Sequence, residues 1–149
     1  MYIYLDTCCY SRPFDDQSQE RIHIESEAVL IIIERARQKA DSIIGSDVLD
    51  LEISQMLDME KQQKVRDLYS ITGTAVKYTK QIYERAQEIE RQSKLRALDS
   101  LHIACAEKAN ADILLTTDDR LEKVGSQLGL SVRILNPLKY LTEVVLYEK

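Results

Sequence analysis

Two hydrophobic periods alternate along this chain. Short, nearly continuous apolar runs occur at Tyr2-Ile3-Tyr4-Leu5, Ile43-Ile44-Gly45, Asp112 to Thr116 and Val132-Arg133-Ile134-Leu135. Such runs predict strands, the second of them a brief strand or a turn. Between them the spacing lengthens to that of helices. Ile24, Ala28, Ile31, Ile32 and Arg35 predict an amphipathic helix over about residues 18 to 40. Thr7 to Ser18 reads as a loop, in which Asp16 and Gln19 have the spacing of a capping box for that helix. Ser46 is a good N-cap, and Val48, Leu49, Leu51, Ile53 and Met56 carry a helix onward from it. Residues from about 60 to 70 are charged and helix-prone, and Gly73 breaks the pattern.

The second half follows the same rules. Tyr78 to about Lys94 predicts a helix with Ile82, Ala86 and Ile89 on one face, and Arg96 to Lys108 another with Leu98, Leu101, Cys105 and Ala109 inward. Asp119 to Leu128 reads as a short helix stopped by Gly129. Asn136 and Pro137 pair as cap and first residue of a last one. Strands alternating with helices imply an α/β fold, a parallel sheet flanked by helices. Neither a repeat nor a linker divides residues 1–149, so the expectation is one domain.

Composition narrows the setting. No apolar run approaches the roughly 20 residues that span a membrane. The N-terminal stretch lacks a basic n-region and soon reaches Asp6, so it reads as a strand and the protein as cytoplasmic. Three cysteines make no disulfide framework and match no zinc spacing. Adjacent Cys8 and Cys9 suit either a soft metal or, more often, a buried position. The net charge of −5 argues against a broad basic face coating nucleic acid.

Four acids change the picture. Asp6 follows the first apolar run, Asp118 follows the Asp112–Thr116 run, Asp99 lies in the first turn of a helix, and Glu52 lies among Leu49, Leu51, Ile53 and Met56. In open parallel sheets, ligands bind beyond the carboxyl ends of the strands, where Asp6 and Asp118 would lie. Each acid also has a plain explanation: Asp99 compensates a helix dipole, and Glu52 belongs to a solvated face. Converging carboxylates repel unless a cation sits among them. Oxygen-rich clusters suit Mg²⁺ or Mn²⁺, and such ions serve phosphodiester hydrolysis. With the four acids set aside, 20 basic residues face the remaining 21 acidic ones.

Leu5-Asp6-Thr7, Ser46 through Glu52, Leu98-Asp99-Ser100-Leu101-His102-Ile103-Ala104 and Leu115-Thr116-Thr117-Asp118 together resemble the four signature stretches of PIN-domain ribonucleases, many of which are VapC-type toxins of toxin–antitoxin pairs. The resemblance covers nearly the whole chain. It implies a PIN-like three-layer sandwich and a Mg²⁺- or Mn²⁺-dependent endoribonuclease. Asp6, Glu52, Asp99 and Asp118 would form its acidic quartet, and Thr116 would help orient the last acid or a water. It further implies an RNA substrate, an antitoxin protein that plugs the acidic cleft, and a homodimer. Asp6, Asp99 and Asp118 would hold the metal, with Glu52 acting through water or as a base. Cys8 departs from the family's usual Asn or Ser, which bears on metal affinity.

Basic and imidazole groups near the acids stay open at this stage. Arg12 either meets a phosphate or pairs with Asp15. Lys94 and Arg96 either hold an RNA backbone or end a solvated helix. His102 is either a ligand or a packed, hydrogen-bonded side chain. A catalytically inactive PIN-fold interaction module is the alternative function, with retention of metal binding as the discriminator. A dehalogenase-type phosphatase is disfavoured, because Cys8 stands where its second acid belongs.

Overall fold

Ile3, Tyr4 and Leu5 are wholly buried in succession. Strand β1 (Tyr2–Leu5) therefore has both faces covered, as the central strand of a parallel sheet must. The computed structural model describes residues 1–147. It pairs β1 with β2 (Ser42–Ser46) on one side and with β4 (Ile113–Leu115) on the other, in register Tyr4↔Ile44 and Tyr4↔Leu114. A two-residue edge strand, β3 (Ala75–Val76), and β5 (Arg133–Leu135) complete an all-parallel sheet of order β3-β2-β1-β4-β5. The chain builds from β1 outward to β3, then returns to the far side of β1. That reversal leaves a crevice beyond the carboxyl ends of β1 and β4.

Helices α1 (Thr7–Ser11), α2 (Glu20–Arg37), α3 (Asp47–Ser54), α4 (Met59–Tyr69), α5 (Lys80–Ser93), α6 (Ala97–Lys108), α7 (Asp119–Ser126) and α8 (Pro137–Lys139) flank the sheet. The expected α/β architecture holds. Among the described residues, no helix is long and apolar enough to cross a membrane. Capping follows local chemistry where it was legible. The Ser46 Oγ accepts the Leu49 N–H, Thr79 caps α5, and Asn136 caps the helix that Pro137 opens. Ile82, Ala86 and Ile89 are buried on α5 as the spacing predicts.

Several expectations are corrected. The segment after Asp6 is not a plain loop: it forms α1 and a 3₁₀ turn at Arg12–Phe14, because the Asp6 carboxylate accepts the Thr7 N–H and starts a helix. Asp16 forms no capping box. Its carboxylate takes the Ser18 N–H and hydroxyl, and α2 begins later, at Glu20. The inner face of α2 is rotated: Ile24 and Ile31 are exposed while Glu25 and Ser26 are buried. Glu25 tolerates burial because Arg12, Arg21 and Asn136 all donate to it. On α6, Leu98 is exposed and Asp99, Ser100 and His102 are buried instead. The strand β3 escaped the sequence reading because two residues carry no period.

Entry into α3 depends on a close approach. The Tyr69 hydroxyl accepts the Ser46 N–H and donates to the Ser46 carbonyl, both at 3.1 Å. It lies so near Gly45 that an added Cβ would stand 2.5 Å from its oxygen. Gly45→Ala is expected to cost about 1–3 kcal/mol, as overpacking does. The urea midpoint of unfolding measures it, and an unchanged midpoint would mean that Tyr69 leaves Ser46 without penalty.

Candidate active site

The four predicted acids gather at the carboxyl edge of the sheet, in two couples. Asp6 ends β1 and caps α1, while Glu52 lies one and a half turns into α3. Single donor atoms of Asp6, Glu52 and His102 all lie within 4.8 Å of one another. Asp118 follows β4 and caps α7, accepting the Arg120 and Leu121 N–H groups, and Asp99 opens α6. The Arg96 guanidinium bridges this second couple, with Nε 3.1 Å from Asp99 Oδ2 and Nη2 3.4 Å from Asp118 Oδ2. A carboxylate pair sharing one arginine has part of its repulsion cancelled. The Arg96 side chain is nevertheless 74% exposed, so the pairing is solvent-screened.

Fixed donors hold the first couple. The Thr116 hydroxyl donates to Asp6 Oδ2 at 3.0 Å and accepts the Asp118 N–H at 3.1 Å, tying the first acid to the last. The Cys8 thiol also donates to Asp6 Oδ2, at 3.4 Å, and accepts the Thr117 N–H. Cys8 therefore supplies the hydrogen bond that a small polar residue would. Glu52 Oε1 accepts the Thr7 hydroxyl and lies 2.8 Å from His102 Nε2. Glu52 is half-buried rather than part of a solvated face.

Charge states follow from these contacts. Burial pushes the Glu52 carboxyl up, but hydrogen bonds from His102 and Thr7 outweigh it and hold the group below its ordinary range. Burial pushes His102 down, yet Glu52, Asp6 and Asp99 raise it overall. The Asp99 carboxyl is raised, chiefly by burial; Arg96 opposes the shift, and Asp6 and Asp118 add to it. Burial lifts the Cys9 thiol well above its usual value and Cys105 to about 11, so neither is a thiolate nucleophile at neutral pH. All three cysteines are free, and Cys9 donates to the Leu115 carbonyl.

The candidate basic residues separate. Arg12 pairs with Glu25 at 2.8 Å and with Asp15, its expected partner, at 3.4 Å. Lys94 is exposed, in a left-handed conformation at the end of α5, and its carbonyl accepts from Arg120. Sequence reasoning missed Thr7 as a Glu52 partner, Tyr4 as a His102 partner and Arg96 as a counter-ion. A tyrosine inside an aliphatic strand was the available signal, since a buried hydroxyl seeks a partner.

Removing Arg96 should raise the Asp99 carboxyl further. Its folded value already lies above the ordinary value of about 3.9. Protonated Asp99 thus favours the fold below about that pH, and the contribution is lost as pH rises through the raised value. Arg96→Gln is expected to extend that window upward, as followed by NMR titration of Asp99 without metal. An unmoved Asp99 would show that Arg96 does not act on it.

Residues 3–127 match the profile of the PIN domain family. A chain of the crystal structure of VapBC2 from Rickettsia felis, bound to a DNA fragment from their promoter, superposes with a TM-score of 0.57 at 17% identity. The superposition covers 91% of this chain and 98% of that one. No curated protein matches the sequence.

Proposed function

The chain belongs to the PIN domain family, and on that premise we propose that it is a Mg²⁺- or Mn²⁺-dependent endoribonuclease of the VapC toxin type. The observation that carries the reading is the gathering of Asp6, Glu52, Asp99 and Asp118 at the sheet's carboxyl edge, with Arg96 as a cation between two of them. Carboxylates predominate in the set, as a hard divalent ion prefers, and single donor atoms of Asp6, Glu52 and His102 lie within 4.8 Å of one another. Asp6, Asp99 and Asp118 would hold that ion, with Glu52 beside it. When bound, a divalent ion supplies Lewis acidity and lowers the pKa of a water.

The chain's own residues do the rest. Thr116 and Cys8 fix one oxygen of Asp6, leaving Oδ1 toward His102 and Glu52. Both bonds to Glu52 fall on Oε1, so Oε2 is the oxygen left to take a proton from an attacking water. Its lowered pKa keeps Glu52 ionised for that role at neutral pH. Lys94 would meet the RNA backbone, as would Arg96 once it leaves its acids. The products would carry 5′-phosphate and 3′-hydroxyl ends. An antitoxin protein as partner, a homodimer and a cytoplasmic location belong to the same reading. The fold shared with VapBC2 supports the first of these.

Purified protein should cut RNA with Mn²⁺ or Mg²⁺ and not with EDTA, and Asp99→Asn should abolish cutting. Saturating Mn²⁺ should raise Tm by roughly 5–10 °C, the scale for a ligand at about 100 times its dissociation constant. Neither cutting nor a thermal shift would leave the inactive interaction module as the better reading.

A further inference from the structure

His102 is 1% exposed and is gripped from both ends. Its Nδ1 lies 2.7 Å from the Tyr4 hydroxyl, and its Nε2 lies 2.8 Å from Glu52 Oε1. The Tyr4 hydroxyl in turn lies 2.8 Å from Ser46 Oγ, which accepts the Leu49 N–H. Four residues from β1, β2, α6 and α3 thus form one buried line that ends on Glu52.

Donor bookkeeping fixes its direction. Glu52 Oε1 already accepts the Thr7 hydroxyl, and a carboxylate oxygen only accepts. The proton between His102 and Glu52 therefore sits on Nε2. If the ring is neutral, Nδ1 accepts from Tyr4 and the Tyr4 oxygen accepts from Ser46. If the ring is protonated, Nδ1 donates to Tyr4 and Tyr4 donates to Ser46. In both states Nε2 carries hydrogen and has no lone pair for a metal. The proximity of Nε2 to Asp6 Oδ1, 3.7 Å, places it beside the cation site all the same.

We propose that His102 is a positioning residue, seated by Tyr4, that fixes the Glu52 carboxylate and does not itself bind the cation. The inference rests on the metal-dependent reading above only for its second half. A carboxylate on a helix retains rotamer freedom. Two donors on one oxygen, one of them a ring held at both ends, remove it. Orienting groups of this kind typically change metal affinity about 10–100-fold when removed.

Two measurements test it. In metal-free protein, proton NMR should show a slowly exchanging His102 Nε2–H that shifts in Glu52→Gln and broadens in Tyr4→Phe. Absence of that signal, or its indifference to Glu52, overturns the proposal. With Mn²⁺ bound, electron spin-echo spectra of the parent should lack a directly coordinated imidazole nitrogen; its presence overturns the proposal. His102→Gln should weaken Mn²⁺ binding by about 10–100-fold, and an unchanged affinity also counts against it. A parent that binds no Mn²⁺ would refute the metal-dependent function, while the first measurement would still decide whether His102 positions Glu52.

Discussion

Carboxylates crowded at one edge of a sheet repel one another, and the rest of this structure is arranged around that fact. Every acid of the cluster is held by donors or faced by a cation. Asp6 accepts from Thr116, Cys8 and the Thr7 backbone; Glu52 from Thr7 and His102; Asp118 from two backbone N–H groups; Asp99 from Arg96. Hydrogen bonds to ionised groups are the strong ones, and at Glu52 they outweigh the effect of burial. At Asp99 burial prevails over the opposing effect of Arg96.

The fold makes this crowding possible through its topology. Reversal of strand order at β1 brings the ends of β1 and β4 side by side, and the registers Leu5↔Leu115 and Leu115↔Leu135 align the edge. Asp6 and Asp118 then do two jobs with the same side chain. Each caps a helix with Oδ1 and takes side-chain donors on Oδ2, Thr116 and Cys8 at Asp6 and Arg96 at Asp118. Replacing either would fray a helix start as well as remove a charge, so loss of activity at these positions has to be read beside stability.

Buried polar groups tie the same edge to the core. Ser46 caps α3 and meets Tyr4, and Tyr69 meets Ser46 across Gly45. The helix that carries Glu52 is thereby anchored to the strand that carries Asp6. Farther out, Glu25 gathers Arg12, Arg21 and Asn136, fastening the turn after α1 to α2 and α8. Arg12 belongs to that group, whereas the exposed Arg96 bridges Asp99 and Asp118 at the sheet edge.

The sequence by itself determined four of the five strands, most of the helices and the identity of the clustered acids. These features are written in local signals: consecutive apolar residues, a 3.6-residue period, Ser46 and Asn136 as caps, and acids that directly follow strands. What tertiary structure decided was partnership. Tyr4 and His102 are 98 positions apart, and Asp6 and Thr116 are 110 apart. No local period encodes those distances. The rotated faces of α2 and α6 have the same cause. A helix buries a glutamate or a histidine, as at Glu25 and His102, in place of a leucine only when distant residues satisfy it, and that compensation exists only once the chain has folded.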